Sequence, residues 1–231
     1  MSASPSLGPE MADAKPNVDP PWLEALIVIS LSVAALTTTW STYQAALWDG
    51  EQAASYSRAN ALRIEGSKAA ARADVLEAVD LAIFSSWLDA MGAGETQLQE
   101  FYYARFRPDF REAFDAWTAL HPLTNPDAPQ GPFFMKEYSL PERAQAEALE
   151  AEAQAVFDQG ERDNDIGDIY VQATVILASA LFFGGICQTF KKPRVRMVLA
   201  LLSVAACIVG VVRTVTLPAI PPVIMWGFGA G

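Results

Sequence analysis

Residues 37–63 read TTTWSTYQAALWDGEQAASYSRANALR and join two kinds of sequence. The residues before them, LEALIVISLSVAAL, are as apolar as a membrane span, and those after them are typical of a soluble, alanine-rich helix. No proline separates the two parts, and the only glycines nearby are Gly50 and Gly66. The sequence therefore predicts one helix that leaves a bilayer and continues beyond it.

One face of this helix can be followed in steps of three and four residues from Ser30 to Ala90. Its side chains are small and partly polar within the span, and mostly alanine beyond it, with larger residues at intervals. Small residues allow two helix backbones to approach closely. We therefore expect the helix to continue because a partner helix continues beside it.

Composition divides the chain into apolar spans and a charged region. Of its 231 residues 52% are hydrophobic, yet the net charge is −11, and these two properties rarely occur together in one globular domain. Crossing a bilayer takes about 20 apolar residues, and three segments qualify, 22–44, 169–190 and 195–217. The predicted fold is all-α, an integral membrane protein with three transmembrane helices and an extended helical extracytoplasmic domain.

Orientation follows from the basic link at residues 191–196, KKPRVR, because loops rich in Lys and Arg remain in the cytoplasm. The N-terminal tail, residues 1–21, is then cytoplasmic and is expected to be disordered. The acidic domain, residues 45–168, is extracytoplasmic. Glu24 at the entrance and the lack of a basic leader favour an uncleaved anchor over a signal peptide. We expect a multi-pass protein of the bacterial inner membrane.

The sequence predicts that the outer domain is a helical hairpin. Its second arm begins with SLPERAQAEALEAEAQAVFDQ, where Ser139 and Glu142 have the spacing of a capping box, and it can run into the second span. Its recurrent alanines, predicted to face the first arm, are Ala144, Ala148, Ala151 and Ala155.

Between the arms, Pro108 should divide two short helices, because proline is tolerated only in a first turn. The aromatic side chains assigned to the core of this region are Phe101, Tyr102, Tyr103, Phe106, Phe110, Phe114 and Trp117. Residues 121–138 are rich in proline and predict an irregular loop. The apolar C-terminal tail, residues 218–231, is expected either in the membrane interface or against a neighbouring subunit.

Three groups of residues are candidates for a functional site. An acidic patch outside the second span is interpreted as a solvated face or, alternatively, as a collar that concentrates cations at a pore mouth. It comprises Asp158, Glu161, Asp165 and Asp168. A polar face of the first span favours helix packing, with a water-filled path as the alternative. It comprises Ser30, Thr37, Ser41 and Gln44. A basic cluster could contact a small anion or an acidic partner, or could pair with nearby carboxylates. It comprises Arg105, Arg107 and Arg111.

No motif for catalysis, phosphate binding or a metal site is visible, and His121, the single histidine, has no second ligand beside it. We therefore expect no enzymatic activity, no cofactor and no metal. The acidic outer domain argues against nucleic acid as a partner. The first hypothesis is a protein that acts in the lipid bilayer by self-association or as an accessory subunit of another membrane protein. The alternative is an oligomeric cation pore, and a ligand-sensing bundle is weaker because little chain remains inside to carry a signal.

Overall fold

The computed structural model describes residues 21–221, and within them the chain is helical and has no strand. Five α-helices follow one another: α1 (Pro21–Gly92), α2 (Thr96–Tyr103), α3 (Pro108–Thr118), α4 (Pro141–Cys187) and α5 (Pro193–Thr216). A short 3₁₀ helix, Pro132–Phe134, interrupts the loop before α4. The predicted N-terminal tail up to residue 20 and residues 222–231 of the predicted C-terminal tail lie outside the described range.

Helices α1, α4 and α5 are each long and apolar enough to cross a membrane. The all-α prediction is therefore confirmed, and so is the prediction of three helices that are long and apolar enough to span a membrane. The chain divides into two compact units, which we call the membrane unit (Met1–Asp49 with Asn164–Gly231) and the hairpin unit (Gly50–Asp163). Helices α1 and α4 contribute residues to both.

The face of α1 that was predicted to pack against a partner helix, which we call the α1 seam, is confirmed, because each of its positions from Ser30 to Ala90 is buried or half-buried. In the hairpin unit Ala59, Ala69 and Ala73 are at most 4% exposed. A seam that repeats every 3.5 residues is the pattern by which two helices pack side chains into each other's gaps. The prediction succeeded because the spacing of small residues along one helix is a local property.

The partner face of α4 differs from the prediction. Ala144, Ala148, Ala151 and Ala155 are all exposed. The face that meets α1 instead contains Leu149, Ala153 and Gly160. Gly160 is required there, because a Cβ atom at this position would lie 2.6 Å from the ring of Tyr56. The ring of Tyr56 stacks on Phe157 at a centroid distance of 4.9 Å, so a large side chain on α1 fills a gap over a glycine on α4.

The core of the hairpin unit is an aromatic cluster formed by Phe84 of α1, Phe110, Phe114 and Trp117 of α3, and Phe106 between α2 and α3. Phe84 contacts four of its neighbours edge to face, an arrangement that aromatic pairs prefer. As predicted, α3 begins at Pro108. The assignment of Phe101 to the core is wrong: its side chain is 46% exposed, with the guanidinium of Arg105 against its ring.

The predicted capping box does not form. Helix α4 begins at Pro141, and the carbonyl of Leu140 accepts the first helical hydrogen bonds, from Arg143 and Ala144. Proline is suited to the first position of a helix because its fixed φ is helical and it has no N–H to satisfy. The cap position therefore falls one residue later than Ser139.

Candidate functional site

The polar face of the first span lies mainly inside the membrane unit. Ser30, Ser41 and Gln44 are buried, and Thr37 is half-buried. The hydroxyl of Ser41 lies 3.3 Å from the Tyr170 carbonyl, to which it donates, and 3.3 Å from Oγ1 of Thr214. It thus joins α1 to both α4 and α5. Hydrogen bonds of this kind hold transmembrane helices together, each contributing about 0.6 kcal/mol on average.

Gln44 holds the chain that follows α5. Its Nε2 donates to the carbonyl of Ile220 at 2.9 Å, and its Oε1 accepts from the amide of the same residue at 2.9 Å. The hydroxyl of Tyr170 donates to the carbonyl of Pro218 at 3.2 Å. A side-chain amide that satisfies both backbone groups of one residue sets the position and direction of that segment. Sequence reasoning placed Gln44 in the polar face but gave no indication of this partner.

Close packing of α4 against α5 in the membrane unit depends on Gly210. A Cβ atom there would lie 2.6 Å from the side chain of Leu177, which is fully buried. Ser203 of α5 donates to the carbonyl of Ala180 on α4 at 2.8 Å. Small residues and hydroxyl groups therefore form this interface, as is usual where lipid removes the hydrophobic drive for helix association.

Asp80 is a buried charged residue of the hairpin unit, and its side chain is 2% exposed. One carboxylate oxygen accepts from Nη2 of Arg107 at 2.8 Å and from the hydroxyl of Tyr138 at 3.2 Å. Arg107 also donates to Asp109 at 2.6 Å. The hydrogen bond to Asp80 raises the pKa of Arg107, and burial, followed by the charge of Asp80, raises the pKa of Tyr138 above its usual value. This group ties α1 to the start of α3 and to the loop before α4.

The other two arginines of the predicted basic cluster have different surroundings. Nη2 of Arg111 donates to the carbonyls of Ala104 at 3.1 Å and Phe106 at 3.3 Å, just beyond the C-terminal end of α2. Arg105 donates to the carbonyl of Phe101 at 2.9 Å. Each of the three arginines is therefore directed at groups of its own chain.

The predicted acidic collar lies on α4, with two residues in each unit. In the hairpin unit, Asp158 accepts from Nε2 of Gln154 at 2.6 Å, and Glu161 is exposed. In the membrane unit, Asp165 and Asp168 are exposed. Among residues 21–221 no three His, Cys, Asp or Glu side chains are grouped as a metal site requires.

Sequence reasoning did not single out Asp163, which is the buried carboxylate of this region at 4% exposure. It accepts from Nε2 of Gln159 at 2.8 Å and from the hydroxyl of Ser55 at 3.4 Å. The sequence could have indicated that Asp163 is buried, because it lies on the same face of α4 as Gly160. The acidic composition of the segment concealed it, because adjacent carboxylates on the other faces are solvated.

A cavity of about 290 Å³ lies beside the aromatic core, between the end of α1 and the end of α3. Trp87, Trp117, His121 and Leu123 contribute to its walls. It is smaller than the 300–1,000 Å³ common for ligand pockets. His121 is exposed.

Comparison with known proteins matched no family model, no curated protein and no solved structure.

Proposed function

We propose that this chain is a non-enzymatic membrane protein that acts by self-association, or as an accessory subunit of a membrane complex, through its hairpin unit. The observation that carries this proposal is the exposure of apolar side chains on the outside of the hairpin unit. Its buried charge is paired within the unit, as Asp80 is with Arg107, whereas Ile64 and Val75 of α1 are 49% and 63% exposed. Apolar side chains on the outside of a polar helical unit favour contact with another protein.

The hairpin unit is extracytoplasmic in this proposal. Its support is the link between the second and third spans, which carries Lys191, Lys192, Arg194 and Arg196. Loops with such an excess of basic residues remain in the cytoplasm. Since α4 enters the link from the hairpin side and α5 leaves it, the hairpin unit then lies on the opposite side of what we take to be the bacterial inner membrane.

Chemical crosslinking in native membranes, followed by mass measurement in mild detergent, tests this proposal. We expect particles larger than one 25.0 kDa chain, containing either further copies or another membrane protein. Deletion of residues 50–163 with a short replacement loop should leave the spans in the membrane and abolish the larger particles. Recovery of the intact chain solely as single copies, with no other membrane protein, would contradict the proposal.

The cation pore is retained as the alternative, and no described contact favours it. Ser41 and Gln44 hydrogen-bond within their own chain, which is the arrangement of packing residues. Reconstitution in a planar bilayer tests the alternative. We expect no conductance; a pore would instead conduct cations and lose conductance, most strongly at low salt, when the collar residues are changed together to their amides. These are Asp158, Glu161, Asp165 and Asp168.

A further inference from the structure

Helix α1 of the hairpin unit has an exposed apolar face opposite its buried seam. Ile64, Ala71 and Val75 follow one another at steps of seven and four residues, and all three are exposed. Two shallow surface depressions adjoin here and share Ala71, and Glu142 of α4 borders one of them. Lys68 and Arg72 lie beside it, are exposed, and make no salt bridge within residues 21–221. We call this surface the α1 face.

Helix α4 has a second exposed face on the other side of the helix pair. Its apolar members are the alanines that were predicted to meet α1, namely Ala144, Ala148, Ala151 and Ala155. Glu147 lies beside them, is exposed, and forms no salt bridge in the described part of the chain. This surface, which we call the α4 face, therefore carries the charge opposite to that of the α1 face.

Three residues of the α1 face have a counterpart at the same height on the α4 face. Contacts inside the unit set the scale: Gly66 lies level with Ala146 and Leu149, and Tyr56 lies level with Gly160. Because both helices rise by about 1.5 Å per residue, Ile64 is then level with Ala151.

The same count places Ala71 level with Ala144 and Lys68 level with Glu147. Copies related by rotation about an axis along the helix pair keep these heights. The α1 face of one copy can therefore meet the α4 face of the next with aliphatic residues against alanine and a lysine against a glutamate.

We propose that the occupant of the α1 face is the α4 face of a second copy of this chain, with Ile64 against Ala151 and Lys68 against Glu147. The inference rests on the self-association form of the proposed function. Such a contact joins two different surfaces, so it repeats from copy to copy and forms rings or open arrays. A contact between two α1 faces would instead place Lys68 against Lys68 of the other copy at the same height, and like charges oppose it.

Disulfide crosslinking in native membranes tests the contact. A chain with both Ile64→Cys and Ala151→Cys should give a ladder of dimers, trimers and larger products on oxidation. Either substitution alone should give none, as should the starting chain, whose Cys187 and Cys207 are buried. Ile64→Cys with Ala155→Cys is the matched control. It keeps the α4 face but moves the thiol by about 6 Å, one helical turn, beyond the reach of a disulfide, which needs Cα atoms within about 7 Å.

Charge reversal supplies a second measurement, which distinguishes loss of the ion pair from unfolding of the unit. In the doubly cysteine-substituted chain, Lys68→Glu should abolish the ladder, and addition of Glu147→Lys should restore it. Restoration by the second reversal shows that the first removed a pair and did not unfold the unit.

The possible outcomes separate the two proposals. Absence of the ladder in a chain whose mass still shows several copies would overturn this contact and leave the proposed function standing. Dimers from Ile64→Cys alone would overturn it in favour of a symmetric α1 contact. A single-copy mass would overturn the contact together with self-association, and would leave only the accessory-subunit form of the function.

Discussion

Replacement of the buried carboxylate by its amide, Asp80→Asn, should loosen the hairpin unit without changing its shape. The amide oxygen can take the place of the carboxylate oxygen that accepts from Nη2 of Arg107 at 2.8 Å and from the hydroxyl of Tyr138 at 3.2 Å, so both hydrogen bonds can be kept, but the negative charge is lost. The largely buried guanidinium of Arg107 would then lack the charge that Asp80 now supplies, and a buried charge without its partner is costly. We therefore expect the lost interaction to weaken every element that the group joins.

The expected loss of stability in Asp80→Asn depends on how far its partner Arg107 is exposed to solvent. Removal of one member of a buried ion pair costs about 3–5 kcal/mol. Arg107 is 21% exposed and retains Asp109 at 2.6 Å, so part of its charge stays compensated. The expected loss is then about 2–3 kcal/mol, below the fully buried case. Since about 1.4 kcal/mol corresponds to a factor of ten, local opening should become about 30- to 150-fold more frequent.

Amide hydrogen exchange of the full-length protein in detergent or nanodiscs measures this opening, because it reports local free energies in the intact chain. We expect faster exchange in α3 (Pro108–Thr118) and little change in the three membrane spans. Asp109→Asn is the matched control: Asp109 is 43% exposed, and exposed ion pairs contribute about 0.2–1 kcal/mol. Unchanged exchange in Asp80→Asn, or an equal effect in Asp109→Asn, would refute the reasoning.

Three further measurements test other parts of the structure. A cysteine placed at Gln130 should react with an impermeant reagent from outside, whereas one at Lys192 should not; the reverse pattern would invert the proposed orientation. The hairpin unit should lose stability as the pH rises above about 10, the usual tyrosine pKa. The reason is that the pKa of Tyr138 is raised in the folded state, so folding favours its neutral form. The melting temperature of the Tyr138→Phe variant should fall less steeply over the same pH range. Ala73→Leu should destabilise the unit by about 1–3 kcal/mol through overpacking, because Ala73 is fully buried. Ala54→Leu is the control, because Ala54 is exposed. Equal melting temperatures of the two variants would show that the α1 seam accommodates a larger side chain.

The sequence alone determined that the fold is all-helical, that α1 runs from the first span into the hairpin unit, and which face of α1 is buried. These are local properties: apolar length defines a span, absence of proline permits a continuous helix, and the spacing of small residues identifies a seam. The start of α3 at Pro108 belongs to the same class, because proline restricts its own backbone.

Only the tertiary structure decided which residues meet across the chain. Helix α4 carries alanine on more than one face, and alanine is too small for its hydrophobicity to choose between them, so the fit of Tyr56 over Gly160 made the choice. The pairing of Asp80 with Arg107 and the hold of Gln44 on Ile220 join positions far apart in the chain. Such pairs satisfy buried polar groups, and that requirement arises only when packing has removed water from around them.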